Sequence, residues 1–189
     1  MSRWPRLSLA AGCVLAATLA ADHGLHARQA ASAPDLKAAF LFNFAKFTTW
    51  PAGAVAPAAQ LVACVAGDNR VADALEEQTR SQQVDGHSLV VQRIKAETTL
   101  GGCHVLYWSA ANDARQDDLL HAAFKRPILT VSDSVEFAEH GGIAGFFVEA
   151  GKMRFDVNPA AADRAQLRIS SKLLSLAKIV KDVPNAHTR

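Results

Sequence analysis

The chain has 189 residues, 50% of them apolar and 20% charged, with a formal charge of +2. That length and make-up suit one globular domain able to bury a core of its own. The near balance of charge, with no basic stripe along the sequence, excludes an electrostatic case for nucleic acid.

The N-terminus reads as an address rather than as part of the fold. Arg3 and Arg6 precede Leu7 to Ala20, fourteen residues without a charge, and Thr18 and Ala20 stand where a signal peptidase inspects. The pattern predicts a cleaved secretory signal over 1–20, too short to span a membrane. Ala31-Ser32-Ala33 offers a second cut, which would move the boundary to 33. Leu9 to Cys13 is a poor lipoprotein box, because Ala10 stands where leucine is usual. Cutting after Ala20 removes Arg3, Arg6 and Cys13 and leaves 18 basic against 18 acidic residues. Cys64 and Cys103 then remain, an even number in an oxidising compartment. They permit one intrachain disulfide, worth about 3–4 kcal/mol by loop closure. The alternative is a pair of free buried thiols.

Residues 21–33 show no apolar period and read as a loose mature terminus. The first helix is predicted over 35–48. Leu36, Phe40, Phe44 and Phe47 share an arc about 80° wide, while Leu41 and Phe42 lie away from it, so packing on more than one side is expected. Asn43 falls at the edge of that arc. It is expected to be a core amide bonded to nearby backbone, since leaving it unpaired costs roughly 1–3 kcal/mol. The sharper reading sets Asn43 and Lys46 at a ligand or partner surface. Trp50-Pro51 is expected to end the helix.

Ala52 to Ala59 is a loop, and Leu61 to Ala66 a short apolar run that suits a buried parallel strand. Asp68 or Asn69 caps a helix over about 70–80 with Val71, Ala74 and Leu75 inward. Val84-Asp85-Gly86 turns into a strand over Ser88 to Ile94, and Cys103 to Trp108 follows as a third strand. Asn112 or Asp113 starts a helix to about Lys125, with Leu119, Leu120 and Phe124 inward. Pro127 opens a strand over Ile128 to Val131. Ser132 or Asp133 then caps a short helix that Gly141-Gly142 ends. Ile143 to Val148 and Lys152 to Val157 form a hairpin, its turn at Glu149-Ala150-Gly151. In the second arm Met153, Phe155 and Val157 alternate with Arg154, Asp156 and Asn158, so one face there is expected to be wet. Asn158-Pro159 caps another short helix. Leu167 to Ile169 is a short extended link, and Ser170 starts a last helix over Lys172 to Lys181. The order implies a single α/β domain over 34–183, with a mostly parallel sheet, a C-terminal β-hairpin and helices on both faces.

Catalytic signatures are missing: no nucleophile elbow, no phosphate loop and no zinc spacing. Ser132, Asp133 and His87 or His140 make a triad only on paper. The one weak constellation is at the carboxyl ends of the strands, where open α/β sheets bind ligands. Asp68, Asn69, Ser109, Ser132 and Asp133 collect there as a candidate edge for a small polar ligand, unless each merely caps the helix after it.

Two stretches carry a resemblance. Lys37 to Phe47, with Asn43 and Lys46 and ending in Trp50-Pro51, is similar to the opening signature of the YfiR family of small periplasmic proteins. Arg154 to Asn158, followed by Ser170 to Ala177 with Lys172, Leu173 and Leu174, is similar to its closing signature. The resemblance implies a periplasmic protein that represses an inner-membrane diguanylate cyclase by contacting its periplasmic domain, lowering cyclic di-GMP and biofilm signalling. It implies release by redox state or envelope stress, a homodimer, and a structural disulfide that Cys64 and Cys103 resemble. Some members carry a second disulfide near the Gly-Gly loop, but Phe137 to Phe147 holds no cysteine. Ile143, Phe146 and Phe147 are the expected partner contacts, against the plainer reading of sheet core. The expected protein is a binding regulator with no catalytic residue, cofactor or metal. A small-molecule sensor without a cyclase partner is the competing class, and a periplasmic hydrolase the third.

Overall fold

The computed structural model describes residues 32–183, except 57, 96–99 and 111–115. The expected signal peptide and the caps Asn112 and Asp113 lie outside them.

Helix α1, Ala33–Lys46, begins at a capping box: the Ser32 hydroxyl accepts the Asp35 amide, and the Asp35 carboxylate accepts the Ser32 amide. Its buried residues are Ala38, Leu41, Phe42, Phe44 and Ala45. The expected arc is therefore corrected. Leu36 is 38% exposed and Asn43 is exposed, whereas the burial of Leu41 and Phe42 beside Phe44 agrees with the expected packing on more than one side. The helix stops at Lys46, before Trp50-Pro51, because Thr48–Thr49 (β1) leaves it to pair antiparallel with Arg168–Ile169 (β9).

The main sheet holds β2 (Leu61–Ala66), β3 (Gln83–Val84), β4 (His87–Arg93), β5 (Val105–Trp108), β6 (Leu129–Ser132), β7 (Ala144–Glu149), β8 (Lys152–Val157) and β10 (Lys178–Ile179). Their order is β10-β8-β7-β6-β5-β2-β4-β3. Every neighbouring pair is parallel except the hairpins β3–β4 and β7–β8. Both hairpins turn on two residues at positive φ, Asp85-Gly86 and Ala150-Gly151, the geometry that matches strand twist.

Strand alternation sorts the core into two layers. Ala63, Val65, Val105, Tyr107, Leu129 and Val131 pack with α1 and with α2 (Asn69–Thr79). Cys64, Ala66, Leu106 and Trp108 pack with Leu119 and Ala123 of α3 (Gln116–Ala123). Helices thus cover both faces, as the sequence predicts. Cys64 and Cys103 are bonded within the second layer, their Cα atoms 5.7 Å apart.

Four further expectations are corrected. Residues 133–142 form turns rather than a helix, because Glu136 sits at φ +56° and breaks the helical path. Phe124 is exposed, with the Lys125 ammonium over its ring. The last helix is a single turn, α5 (Ser171–Leu174); beyond it Lys178–Ile179 becomes the parallel edge strand β10 on β8. Finally, Asp156 and Asn158 are buried, not wet. Asn158 Oδ1 accepts the Ala161 amide to cap α4 (Pro159–Arg164), and its Nδ2 donates to the Ala138 carbonyl and to Asp182.

Candidate functional site

A cleft of about 620 Å³ opens between the start of α1, the 133–142 turns and the β7–β8 hairpin. Its lining draws on Lys37 from α1, Asp133, Glu136 and Glu139 from the turns, Phe147 and Val148 from β7, Met153 and Asp156 from β8, and Lys178 from β10.

Asp133 organises one wall. Its carboxylate pairs with the Lys37 ammonium and accepts the Tyr107 hydroxyl at 3.1 Å and the Ala110 amide at 2.6 Å. The residue leaves the end of β6 and ties α1 to the end of β5, so it caps nothing after it. Tyr107 is fully buried, and burial first, then the Asp133 charge, pushes its phenol far above its usual range. The hydroxyl therefore stays a donor.

Asp156 forms the opposite floor. It pairs with Gly145 across the hairpin and with Lys178 in the parallel register of β10. Its Oδ1 lies 2.5 Å from where a Cβ on residue 145 would stand. Only glycine leaves room for that carboxyl. Asp156 is 8% exposed, and among the described residues Oδ1 has no hydrogen-bond partner. Burial raises its pKa; the Gly145 amide and Lys178 offset this in part, and the amide does so without making a bond to Oδ1. Lys178 lies 3.8 Å from Glu139 and 5.8 Å from the Phe147 ring centre.

The expected residues divide. Asp133, Phe146 and Phe147 reach this cleft, so one residue of the expected ligand edge and two of the expected partner patch meet there. Phe146 is mostly core, stacked on Phe44 at 5.6 Å. Ile143 is 3% exposed and belongs to the core, so its side chain does not present a contact surface. Asp68 accepts the Arg70 and Val71 amides as the cap of α2, and Asn69 is that helix's first residue. Ser109 is buried. The Ser132 hydroxyl is fully buried, accepting the Ser134 amide and donating to the Ser134 hydroxyl. His87 and His140 each turn Nδ1 to a carbonyl, of Ala59 and Glu136. No nucleophile is poised in this group. Asn43 donates to the Ala39 carbonyl, as expected of it, but from the surface.

The signature residues assemble elsewhere. Trp50 and Pro51 line a second cleft, of about 570 Å³, with Asp163, Gln166, Leu167 and Arg168. The β1–β9 pairing brings the two signature regions together there. Lys46 and Lys172 are exposed, Leu173 is buried and Leu174 half-buried. The buried Trp50 indole N–H has no partner. Sequence reasoning missed Lys37 and Asp156 as site residues. Asp156 carried a signal all the same: once the turn is at Ala150-Gly151, the hairpin register sets an aspartate opposite a glycine.

Among the described residues no group of three or more His, Cys, Asp or Glu could hold a metal ion. No helix among them is long and apolar enough to cross a membrane. A family model described as YfiR/HmsC-like matches residues 34–178. No curated protein matches the chain. The crystal structure of a conserved domain protein from Vibrio cholerae O1 biovar El Tor is 15% identical, with 65% of this chain and 55% of that one covered and a TM-score of 0.43. The chain thus spans little more than half of that protein's length.

Proposed function

This chain belongs to the YfiR/HmsC-like family of periplasmic regulators, and from that membership we propose that it represses an inner-membrane diguanylate cyclase by docking on the cyclase's periplasmic domain. The match across residues 34–178 is the observation that carries the reading. The cleft rim supports it: Val135 and Val148 are 85% and 73% exposed, beside the half-buried Phe147 and Met153. Exposed aliphatic side chains grouped with an aromatic suit a protein contact. Repression needs no chemistry. It needs a difference in affinity between two cyclase conformations, and the size of that difference limits the effect.

Deleting the gene and measuring cyclic di-GMP tests the reading. The level is expected to rise and to fall again on complementation with the wild-type gene. A Val148→Asp copy, exported to the same amount, should complement poorly. An unchanged level on deletion would discard the cyclase client. A second reading, a small-molecule sensor, is favoured by the cleft itself and by the buried Asp156 Oδ1 beside it, which has no hydrogen bond among the described residues.

A further inference from the structure

We propose that the cleft between α1, the 133–142 turns and the β7–β8 hairpin is a small-molecule site for a protonated amine carried on an apolar body. The proposal stands apart from the cyclase reading, because it concerns what the purified chain binds alone.

Size comes first. The cleft measures about 620 Å³, inside the roughly 300–1,000 Å³ usual for small-molecule sites. Charge comes second. Asp133, Glu136, Glu139 and Asp156 line it against Lys37 and Lys178. Lys37 is taken by Asp133, and Lys178 sits between Glu139 and the Phe147 face. Glu136 forms no ion pair among the described residues, and Asp156 has only the partial offset of Lys178, which makes no ion pair with it. An anion entering here meets carboxyls that are not fully compensated. A cation meets the partner that Asp156 lacks.

The third argument is the cost already present in the unliganded fold. A buried polar group without a hydrogen bond is costly, and a buried unpaired charge more so. Gly145 holds the Asp156 carboxyl in its niche by having no side chain, with Oδ1 turned toward it. The remaining exposed part of the residue lines the cleft. An ammonium N–H donating to the part of the carboxylate that lines the cleft offsets its charge on binding, while Oδ1 stays turned toward Gly145. Val135, Phe147, Val148 and Met153 offer the rest of the ligand an apolar wall. The pairing also sets a direction with pH. Burial favours the neutral acid, so ammonium binding strengthens as pH rises and Asp156 ionises. Glu139 on the turns, Lys178 on β10, and Asp133, Glu136 and Lys37 across the cleft also face the ligand. The Asp156→Asn variant separates their effect from that of Asp156.

The test is calorimetric titration of the full chain with 2-phenylethylamine, 3-phenylpropionate and methylamine. The arylalkylamine is expected to bind at least about tenfold more tightly than the acid of the same shape and than methylamine. Asp156→Asn should weaken it by at least about tenfold and flatten its pH dependence. Amide shift mapping on the wild-type chain covers the case in which the variant does not fold: shifts are expected at Gly145, Phe147, Val148 and Asp156. Failure of the amine to saturate, equal binding of the acid, full affinity in Asp156→Asn, or shifts confined to the Trp50–Arg168 cleft each overturn the proposal. So does binding that tightens toward acid pH, which would make the protonated carboxyl the binding form.

Discussion

From β4 through β2 and β5 to β6 the strands run parallel, read as apolar runs, and are fixed by helices on both faces and one disulfide. Past β6 the sheet is broken by the antiparallel β7–β8 hairpin, and β10 then adds parallel to β8. There it is joined by polar pairs between distant residues: Asp156 over Gly145, Lys178 beside Glu139, and Asn158 and Arg164 on Asp182. The first region buries no charged group, and among its described residues only the Trp108 indole N–H is left without a hydrogen bond. The second keeps a buried carboxyl unsatisfied and aliphatic side chains exposed beside it. The proposed ligand cleft and docking rim both lie at this second end of the sheet, where a buried carboxyl and exposed aliphatic side chains leave a ligand or partner something to add.

The largest expected effect is on the first region. Replacing Cys64 and Cys103 together by alanine opens a loop of sequence separation 39, and urea unfolding should show a loss of about 3–4 kcal/mol. Both sulfur positions are buried, so the alanines add small cavities to the lost crosslink. A loss below about 1 kcal/mol would mean that the helices hold this end unaided and the contrast is overdrawn.

At the second end Gly145→Ala puts a methyl 2.5 Å from Asp156 Oδ1. The carboxyl must move, at about 1–3 kcal/mol, the usual cost of overpacking. In an Asp156→Ala background most of that penalty should vanish, and a double-mutant cycle reads the difference. Equal penalties in the two backgrounds would show that the niche is not what glycine provides.

The contrast also explains what could be read in advance. β2, α2 and the β7–β8 hairpin were legible because local patterns set them: an apolar run, an aspartate cap, a two-residue turn. β1 and β10 were not, because each is a two-residue strand made by its partner alone, and β9 was legible as an extended link but not in its pairing with β1. Lys172 to Lys181 has helical periodicity, yet Val180 gives its amide to Val157 and the chain is pulled out as an edge strand. Residues 133–142 looked helical because Ser132 and Asp133 resemble a cap. Among the described residues Asp133 bonds to nothing that follows it; it reaches back to Lys37, Tyr107 and Ala110. Of the candidate site, Asp133 and Phe147 were legible as polar and apolar points. Their meeting in one cleft was not, since it depends on where α1 lies.

The smallest effect separates two carboxyls that flank the same C-terminal strap and are pulled in opposite directions. Burial raises Asp156, whereas Asp182 is lowered, first by the Arg164 guanidinium at 2.6 and 2.9 Å and then by the Asn158 amide at 2.7 Å. A raised acid binds its proton more tightly in the fold, so its stabilising share is present at low pH and is lost as pH climbs through the folded value. Asp156→Asn should therefore gain on the wild type toward neutral pH and lose that gain below the ordinary carboxylate value. A lowered acid behaves oppositely. Asp182 contributes above the ordinary value and loses its share as pH falls through its depressed one, so Asp182→Asn should be weaker at neutral pH and level with the wild type in acid. The Arg164–Asp182 pair is a third or more exposed, which keeps its share to about 0.5–1 kcal/mol after screening. Urea unfolding of both variants between about pH 3 and 8 reads the two slopes. Slopes of the same sign would mean that Asp156 already has a partner in the fold, and the contrast between the ends would fail at its most specific point.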